Sequence, residues 1–499
     1  MKIDFDKARD YGIRSNALPL LLSLGLALYG CATNPDVKKP NISLSPSYLH
    51  GDKFPNSGPA IDQRWWQQFG DKQLARLVER AAVANHDIRI AVERARQARA
   101  GAGATESRLF PSVNLIAAQS ENRTGLPAMV KQSMPDTRAT RVGVDVAWEI
   151  DLFGGARAAA NAAEKDAAAA KLGIAGAQLI VASEVARQYY IWHGARQRLN
   201  ILEALLQTQR DTERLTRSRN REGMASGFDV AKAAGETMSL EASLPQLRTL
   251  MAVTESRIAV LTGSSASTLV PELHGEDEFR WISTQAPFSG QPADLLRRRP
   301  DILAAEQRLS AESSRLVEAK ANRFPKLFLS ALFGQQALTL NDTLSLSASR
   351  YSNVAGTFVL PILNAGRIKA GIEAQSAREQ QVLLSYEQTI LNAVEDVENS
   401  LAVLTGEQQR VESQTAAAKE NKKALEHARS LFREGQIDLL QLLDVQRALL
   451  ATELSLTESN AQRAVGYVQL YKALGGGWQA LPPPANTPIA TNSSSGVKQ

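Results

Sequence analysis

The sequence predicts an internally duplicated, mixed α+β membrane protein in which four strands are joined to very long helices. Three observations lead there. Landmarks recur in one order: Leu109-Phe110-Pro111 as Arg323-Phe324-Pro325, Asp151-Leu152-Phe153-Gly154-Gly155-Ala156-Arg157 as Pro361-Ile362-Leu363-Asn364-Ala365-Gly366-Arg367, Arg221-Glu222-Gly223 as Arg433-Glu434-Gly435, and Leu261-Thr262-Gly263 as Leu474-Gly475-Gly476. The offsets are 214, 210, 212 and 213, which marks one repeat unit used twice. Residues 140–150 alternate, with Val142, Val144, Val146, Trp148 and Ile150 on one face and Arg141, Gly143, Asp145, Ala147 and Glu149 on the other, the period of a half-apolar strand. Residues 155–221 and 365–434 lack proline over 67 and 70 positions, and at ~1.5 Å per residue each makes a helix of about 100 Å.

The rest of the chain falls in place from its first residue. Residues 1–30 read as a signal peptide: Lys2, Lys7, Arg9 and Arg14 precede an apolar run over 17–29, which as helix reaches about 20 Å, short of a ~30 Å hydrocarbon core. Cys31 follows Gly30 and resembles the acylated cysteine of bacterial lipoproteins. By that resemblance a covalent lipid such as palmitate is expected on Cys31, and Ala32, where Asp would retain the protein in the inner membrane, implies the outer membrane. A lipidated linker, 31–73, leads to repeat one, 74–262. There 74–106 reads as helix, Pro111 opens a strand over 112–120, and a polar loop precedes the strand 140–150. The long helix 155–221, a reversal at 223–227 and the helix 228–262 follow. On that last helix Leu240, Leu244, Leu247, Met251, Thr254, Ile258 and Leu261 keep 4-3 spacing, a coiled-coil seam with one polar member, and Pro245 marks a place for a bend.

A mid-height connection, 263–292, leads to repeat two, 293–476. Its parts are a helix over 293–322, strands over 326–334 and 352–360, the second ended by Pro361, the long helix 365–434, a reversal at Gly435 and a helix over 439–474. Lengths balance: 228–262 and 293–322 stack end to end beside 155–221, and 439–474 with 74–106 beside 365–434. The Pro- and Ser-rich tail, 477–499, reads as disordered. Strands of about ten residues tilted by about 45° just span a bilayer. Four cannot close alone, and open edges cannot face lipid. Two chains would give eight strands and a filled interior, three would give twelve and a lumen.

Composition removes other classes. With 44% hydrophobic and 22% charged residues, wholesale disorder and collagen-like structure are excluded. No run of 18 apolar residues occurs, which excludes a polytopic α-helical membrane protein. Lys plus Arg number 57 against 52 Asp plus Glu, a thin, spread surplus unlike the basic stripe that nucleic acid requires. The solitary Cys31 permits neither a disulfide framework nor a Cys-based metal site. Histidines at 50, 86, 193, 274 and 427 lack metal-ligand spacing. Gly101-Ala102-Gly103 follows no strand, and neither a phosphate loop nor a Gly-x-Ser-x-Gly elbow occurs. The chain is read as a non-enzyme without a cofactor, and His193 as a structural residue.

The segment Pro292-Ala293-Asp294-Leu295-Leu296-Arg297-Arg298-Arg299-Pro300-Asp301-Ile302-Leu303-Ala304-Ala305-Glu306 resembles a signature of the TolC/OprM-like outer-membrane efflux lipoproteins of NodT type. So do Trp65-Trp66-Gln67-Gln68-Phe69-Gly70-Asp71, the repeated Phe-Pro and Leu-Phe-Gly-Gly landmarks, and Leu474-Gly475-Gly476-Gly477-Trp478. The resemblance runs from about residue 60 to 478. It implies a homotrimer whose twelve-stranded β-barrel, four strands from each chain, continues into a long α-helical coiled-coil barrel. It further implies an exit duct, lipid-anchored in the outer membrane of a Gram-negative cell and extending into the periplasm. Such a duct passively conducts drugs or other small toxic molecules from an inner-membrane RND-type or related pump and a periplasmic adaptor (membrane fusion) protein, and serves antibiotic resistance. The rival reading is a non-pore periplasmic coiled-coil adaptor or scaffold lipoprotein, which does not need the alternation at 142–150. An anchored envelope hydrolase is opposed by the missing catalytic constellation.

Function is then expected at the reversals. By the resemblance, Asp444 fits an aperture aspartate and Asp229 a tether position, while Gln441 stands where some relatives carry a second acid; Asp438 is the third acidic candidate. In a trimer each Asp becomes a ring, raising its neighbours' pKa values and attracting cations. Helix N-terminal capping, at roughly 0.3–1 kcal/mol each, is the alternative. Arg221, Glu222 and Gly223, with Arg433, Glu434 and Gly435, are candidates for contact with adaptor hairpin tips, against solvated helix-end charge. Trp148, Phe153 and Phe358 suit either an interfacial aromatic girdle or packing at the strand–helix junction.

Overall fold

The computed structural model describes residues 37–38, 40–52, 54, 64–123, 125, 127–131, 136–275, 279, 281–282, 290–340 and 344–482. The signal peptide, Cys31 and the tail beyond 482 lie outside the described residues. In chain order come α1 (Lys72–Ala84), α2 (His86–Glu106), β1 (Ser112–Asn122), β2 (Thr137–Ile150), α3 (Gly155–Arg221), α4 (Gly227–Leu261), α5 (Ala266–Leu273), α6 (Pro300–Ala321), β3 (Lys326–Leu340), β4 (Leu344–Val359), α7 (Arg367–Arg433) and α8 (Leu439–Ala473). The duplication shows in the lengths: α3 and α7 each have 67 residues, and α4 and α8 each have 35. Both long helices and both short ones start 212 residues apart, Gly155 to Arg367 and Gly227 to Leu439.

Several boundaries differ from the sequence expectation, each for a local reason. The helix expected over 74–106 is two helices, because Asn85 is extended and its Oδ1 accepts the N–H groups of Asp87 (2.8 Å) and Ile88 (3.2 Å), capping α2. The helix expected over 293–322 is a turn, Leu295–Arg298, followed by α6, because Pro300 holds Arg299 extended at ψ 122°. All four strands are longer than expected, from 11 to 16 residues. The backbone ladder continues past the apolar band into polar positions such as Arg138, opposite Thr339, where alternation gives no signal. Pro245 breaks nothing, since α4 runs through it. The start of the tail is ordered: Trp478–Ala480 form a 3₁₀ turn, and Trp478 Nε1 donates to Arg298 O (3.1 Å).

The chain divides into two compact units. One comprises the described residues of 97–167 and 307–384 and holds the sheet. The strands are antiparallel in the order β1-β2-β3-β4, so β2–β3 pairing joins the repeats and β1 and β4 are the edges. Register sets Leu115 opposite Val144, and Val144 opposite Phe333, so one face is apolar from strand to strand. Val113, Leu115, Val142, Phe333, Val354 and Phe358 on that face are exposed, a period-two apolar surface suited to lipid. On the other face Gly143 pairs with Gly334 under the ring of Tyr351. A Cβ on Gly334 would lie 2.4 Å from Val142 O and 2.9 Å from Tyr351 Cε1, so the approach requires glycine. Trp148 Nε1 donates to Leu109 O (3.0 Å) and Phe153 stacks on Phe324 (4.8 Å), both packing at the junction, while Phe358 stays exposed.

The other unit, the described residues of 41–96, 168–306 and 385–482, is helical. The α4 seam is as spaced: Leu244, Leu247, Met251, Thr254, Ile258 and Leu261 are buried, and Leu244 and Leu247 pack on Leu202 and Leu206 of α3 with Leu240, Leu450 and Leu454 beside them. Each such leucine contributes about 1.5–3 kcal/mol. An 18-residue stretch within α3 is apolar enough to cross a bilayer, but 44% of it is buried. Ahead of α1, the backbone N–H of Asn41 reaches Glu387 Oε1 (3.0 Å), and those of Leu49 and His50 reach the Glu398 carboxylate (2.7 and 3.0 Å), laying this segment along α7. The three separate sequence signatures form one knot. Trp65 stacks on Tyr471 at 5.5 Å and lies against Gly477. Arg299 donates to Ala473 O (3.1 Å) and pairs with Asp301 (2.7 Å) and Asp396 (2.9 Å).

Candidate functional site

Both reversals are built by one recipe. At the end of α3, Gly223 stands at φ +76°, with Met224 N donating to Arg219 O (2.7 Å) and Gly223 N to Asn220 O (3.0 Å). At the end of α7, Gly435 stands at φ +72°, with Gln436 N donating to Leu431 O (2.8 Å) and Gly435 N to Phe432 O (3.1 Å). These are Schellman bonds, and the left-handed φ selects glycine. Three residues later each returning helix is capped. Ser226 Oγ accepts from Asp229 N (3.1 Å), while Asp229 Oδ2 accepts from Ser226 N (2.9 Å) and Oγ (2.8 Å). Asp438 Oδ1 accepts from Gln441 N (2.8 Å), and Gln441 Oε1 from Asp438 N (3.1 Å).

Asp229 and Asp438 are therefore engaged in capping boxes. The Ser226 N–H, then its hydroxyl, hold the Asp229 carboxyl below the usual carboxylate range. Gln441 completes a box, which any residue with a side-chain acceptor at that position would do. Asp444 is different: it caps nothing, is 74% exposed at its side chain, and has Oδ1 3.5 Å from Arg447 Nη1. Arg447 in turn grips Glu236 of α4, with Nε 3.1 Å from Oε2 and Nη2 closing on Oε1, and Lys232 Nζ lies 3.8 Å from the same carboxylate. This bridge between the two returning helices was missed from sequence; the available signal was opposite charges at positions nearly one repeat apart.

Arg221, Glu222 and Arg433 are exposed at the tips. Glu434 accepts from Ser430 Oγ (3.1 Å) and Gln436 Nε2 (3.0 Å). Beneath them Arg219 lies 4.7 Å over the Phe432 ring, tying α3 to α7. The tips differ in apolar cover: Met224 and Phe228 of repeat one are exposed, whereas Ile437 of repeat two packs on a cluster containing Ala233, Phe432, Leu439 and Leu442.

His193 lies elsewhere in the same unit, buried, stacked 3.6 Å from Phe279, with no hydrogen-bond partner for Nε2. Burial, then the Arg196 charge, push its pKa from 6.5 down to about 3. Between those values the unfolded chain binds a proton that the folded chain refuses, so stability rises with pH through this window. Going from pH 7 to pH 4 is expected to cost about 3 kcal/mol at ~1.4 kcal/mol per unit. Melting temperatures measured across that range should fall more steeply for the native chain than for His193→Phe; parallel curves would clear His193. Among the described residues no group of three or more His, Cys, Asp or Glu is placed to hold a metal ion.

Comparison with known proteins agrees along nearly the whole length. The family described as outer membrane efflux protein matches residues 77–264 and 292–476. The pyoverdine export outer membrane protein OpmQ of Pseudomonas aeruginosa is 30% identical over 467 residues, covering 92% of this chain and 97% of OpmQ. The cation efflux system protein CusC of Escherichia coli is 27% identical over 462 residues, covering 91% of this chain and 98% of CusC. Among solved structures, the outer-membrane channel OprN superposes with a TM-score of 0.82 at 30% identity, covering 90% of this chain and 100% of that one.

Proposed function

The chain belongs to the outer membrane efflux protein family, and on that premise we propose that it is the outer-membrane exit duct of a tripartite efflux system. It conducts small molecules passively from an inner-membrane pump and a periplasmic adaptor to the exterior, without catalysis or a cofactor. The carrying observation is the four-stranded sheet with an exposed apolar face and two unpaired edges, β1 and β4. Such edges do not persist in lipid, and three chains close them into a twelve-stranded barrel with a lumen. The long helices then extend the conduit into the periplasm, and Cys31 carries the lipid that adds a second hold on the outer membrane. The names of the relatives cover cargoes as unlike as pyoverdine and cations, which fits a duct that leaves selection to its pump.

At the periplasmic mouth Asp444 lines the aperture, while Asp229 and Asp438 shape it as caps. The exposed Arg221, Glu222 and Arg433, with Glu434 and the glycines 223 and 435, present the tips to the adaptor. The purified full chain is expected to have the native mass of a trimer and to form ion-conducting pores in planar bilayers. A monomeric, non-conducting protein overturns the reading. Asp444→Ala is expected to raise conductance or leak; unchanged conductance removes Asp444 from the aperture. Cys31→Ser is expected to abolish acyl labelling.

A further inference from the structure

The two repeats differ in charge where their second strand passes into the long helix. In repeat one Glu149 Oε1 lies 3.1 Å from Lys326 Nζ, and Asp151 Oδ2 accepts from the backbone N–H (2.9 Å) and the Nε (3.1 Å) of Arg157. The displacement of 210 residues carries these positions to Val359, Pro361 and Arg367. Both acids are gone and the arginine is kept. Arg367 is exposed and has no ion-pair partner among the described residues. With Lys326 it borders a cleft of about 520 Å³ whose apolar walls are Phe324, Val359, Pro361 and Ile368. Among the described residues no carboxylate lines this cleft, whereas the neighbouring cleft, which shares Asn322 and Lys326, carries Glu149, Asp151 and Glu318. Register sets Lys326 opposite Val359, on the face that also holds Gly334 and Tyr351 and away from the exposed Phe333 and Phe358.

We propose that this cleft binds organic anions with an apolar body, a carboxylate or sulfonate on an aromatic or aliphatic frame, with the Arg367 guanidinium on the acidic group. The cleft is complementary to such a ligand in charge and in polarity. An unpaired guanidinium presents a fork of N–H donors that forms paired, charge-assisted hydrogen bonds with an oxyanion. Lys326 adds a second positive charge, partly balanced by Glu149. The four apolar walls cover the frame, and the volume falls within the about 300–1,000 Å³ of small-molecule sites. A cation of the same shape meets two positive charges and no acid on the walls, so the cleft discriminates by sign. Gly371 keeps it open, since a Cβ there would meet no atom within 4 Å. Its place on the cargo path rests on the duct reading: in the proposed barrel this face is the interior. The cleft is then a resting place for anionic cargo in the wall of the conduit, where binding has to stay weak enough for release.

Titration calorimetry of the purified full-length protein in nonionic detergent tests the cleft. The anion 2-naphthalenesulfonate is expected to bind saturably at one site per chain, and the cation 2-naphthyltrimethylammonium is not. Arg367→Gln, which removes the charge, and Gly371→Leu, which fills the space, are each expected to lower the affinity about ten-fold or more. Arg367→Lys is expected to retain part of it, and Arg108→Gln, in the neighbouring cleft, all of it. Absence of saturable binding, equal binding of the ammonium probe, unchanged affinity in Arg367→Gln or an equal loss in Arg108→Gln overturns the inference. Should Arg367→Gln fail to assemble, Gly371→Leu decides, because native affinity with the cleft filled defeats the site. A protein that conducts in planar bilayers yet binds no naphthalenesulfonate overturns the site and leaves the duct standing. One that binds the probe and does not conduct overturns the duct and leaves the site.

Discussion

Replacing Gly477 by alanine is expected to destabilise the folded chain by about 2–5 kcal/mol, enough to remove it from the outer membrane. Two costs add. Gly477 stands at φ +105°, and an L-residue held left-handed loses about 1–2 kcal/mol. A Cβ there would lie 2.6 Å from Trp65 Nε1, 2.9 Å from Trp65 Cδ1 and 3.1 Å from Trp66 Cζ3, and overpacking costs another 1–3 kcal/mol or so. The tryptophans cannot move aside, because both are fully buried and locked edge to face at 5.6 Å, with Tyr471 and Phe69 closing on Trp65. Gly223→Ala separates the two costs: its φ is +76° but nothing lies within 4 Å of the added carbon, so only about 1–2 kcal/mol is expected. Denaturant unfolding followed by tryptophan fluorescence measures both. Equal losses at 223 and 477 would mean that packing on Trp65 contributes nothing.

That comparison shows where sequence is informative. The α4 seam was legible because burial repeats along one helix, each leucine announcing the next. The repeat displacement was legible because both reversals use the same glycine and the same cap spacing. Gly477 was visible as part of a motif, but its physical reason, Trp65, lies about 400 residues earlier in the chain. The helix break at Asn85 was missed likewise: its side chain caps α2 and also donates to Leu261 O (2.9 Å) at the end of α4, a partner that no local pattern reveals. Among the acids, Asp438-x-x-Gln441 carries a capping signature in the sequence itself. The bridge from Arg447 to Glu236 offers only opposite charges nearly one repeat apart, a faint signal on helices where surface charges are ordinary.

Arg447→Ala is expected to raise the conductance of reconstituted channels several-fold, more than Asp444→Ala, without lowering the melting temperature measurably. Both parts follow from the exposure of the pair. The side chains of Arg447 and Glu236 are 45% and 22% exposed, a setting in which an ion pair contributes about 0–1 kcal/mol. The bond is too weak to hold the fold, yet it links α8, carrying Asp444, to α4 of the other repeat. In the proposed trimer three such links amount to about 0–3 kcal/mol, overlapping the ~1–3 kcal/mol of coupling by which one binding event commonly shifts another. Asp444→Ala removes only the outer, 3.5 Å contact and leaves the grip on Glu236 intact, so its effect is the smaller. Salt supplies an independent reading. A Debye length of about 10 Å at 0.1 M contracts to ~3 Å at 1 M, so conductance of the native channel, corrected for electrolyte, should rise towards that of the variant as salt increases. Glu236→Arg combined with Arg447→Glu restores the pair with reversed polarity and should return conductance towards the native value. A swap that conducts like Arg447→Ala would leave the loss of a positive charge, not of a bridge, as the cause.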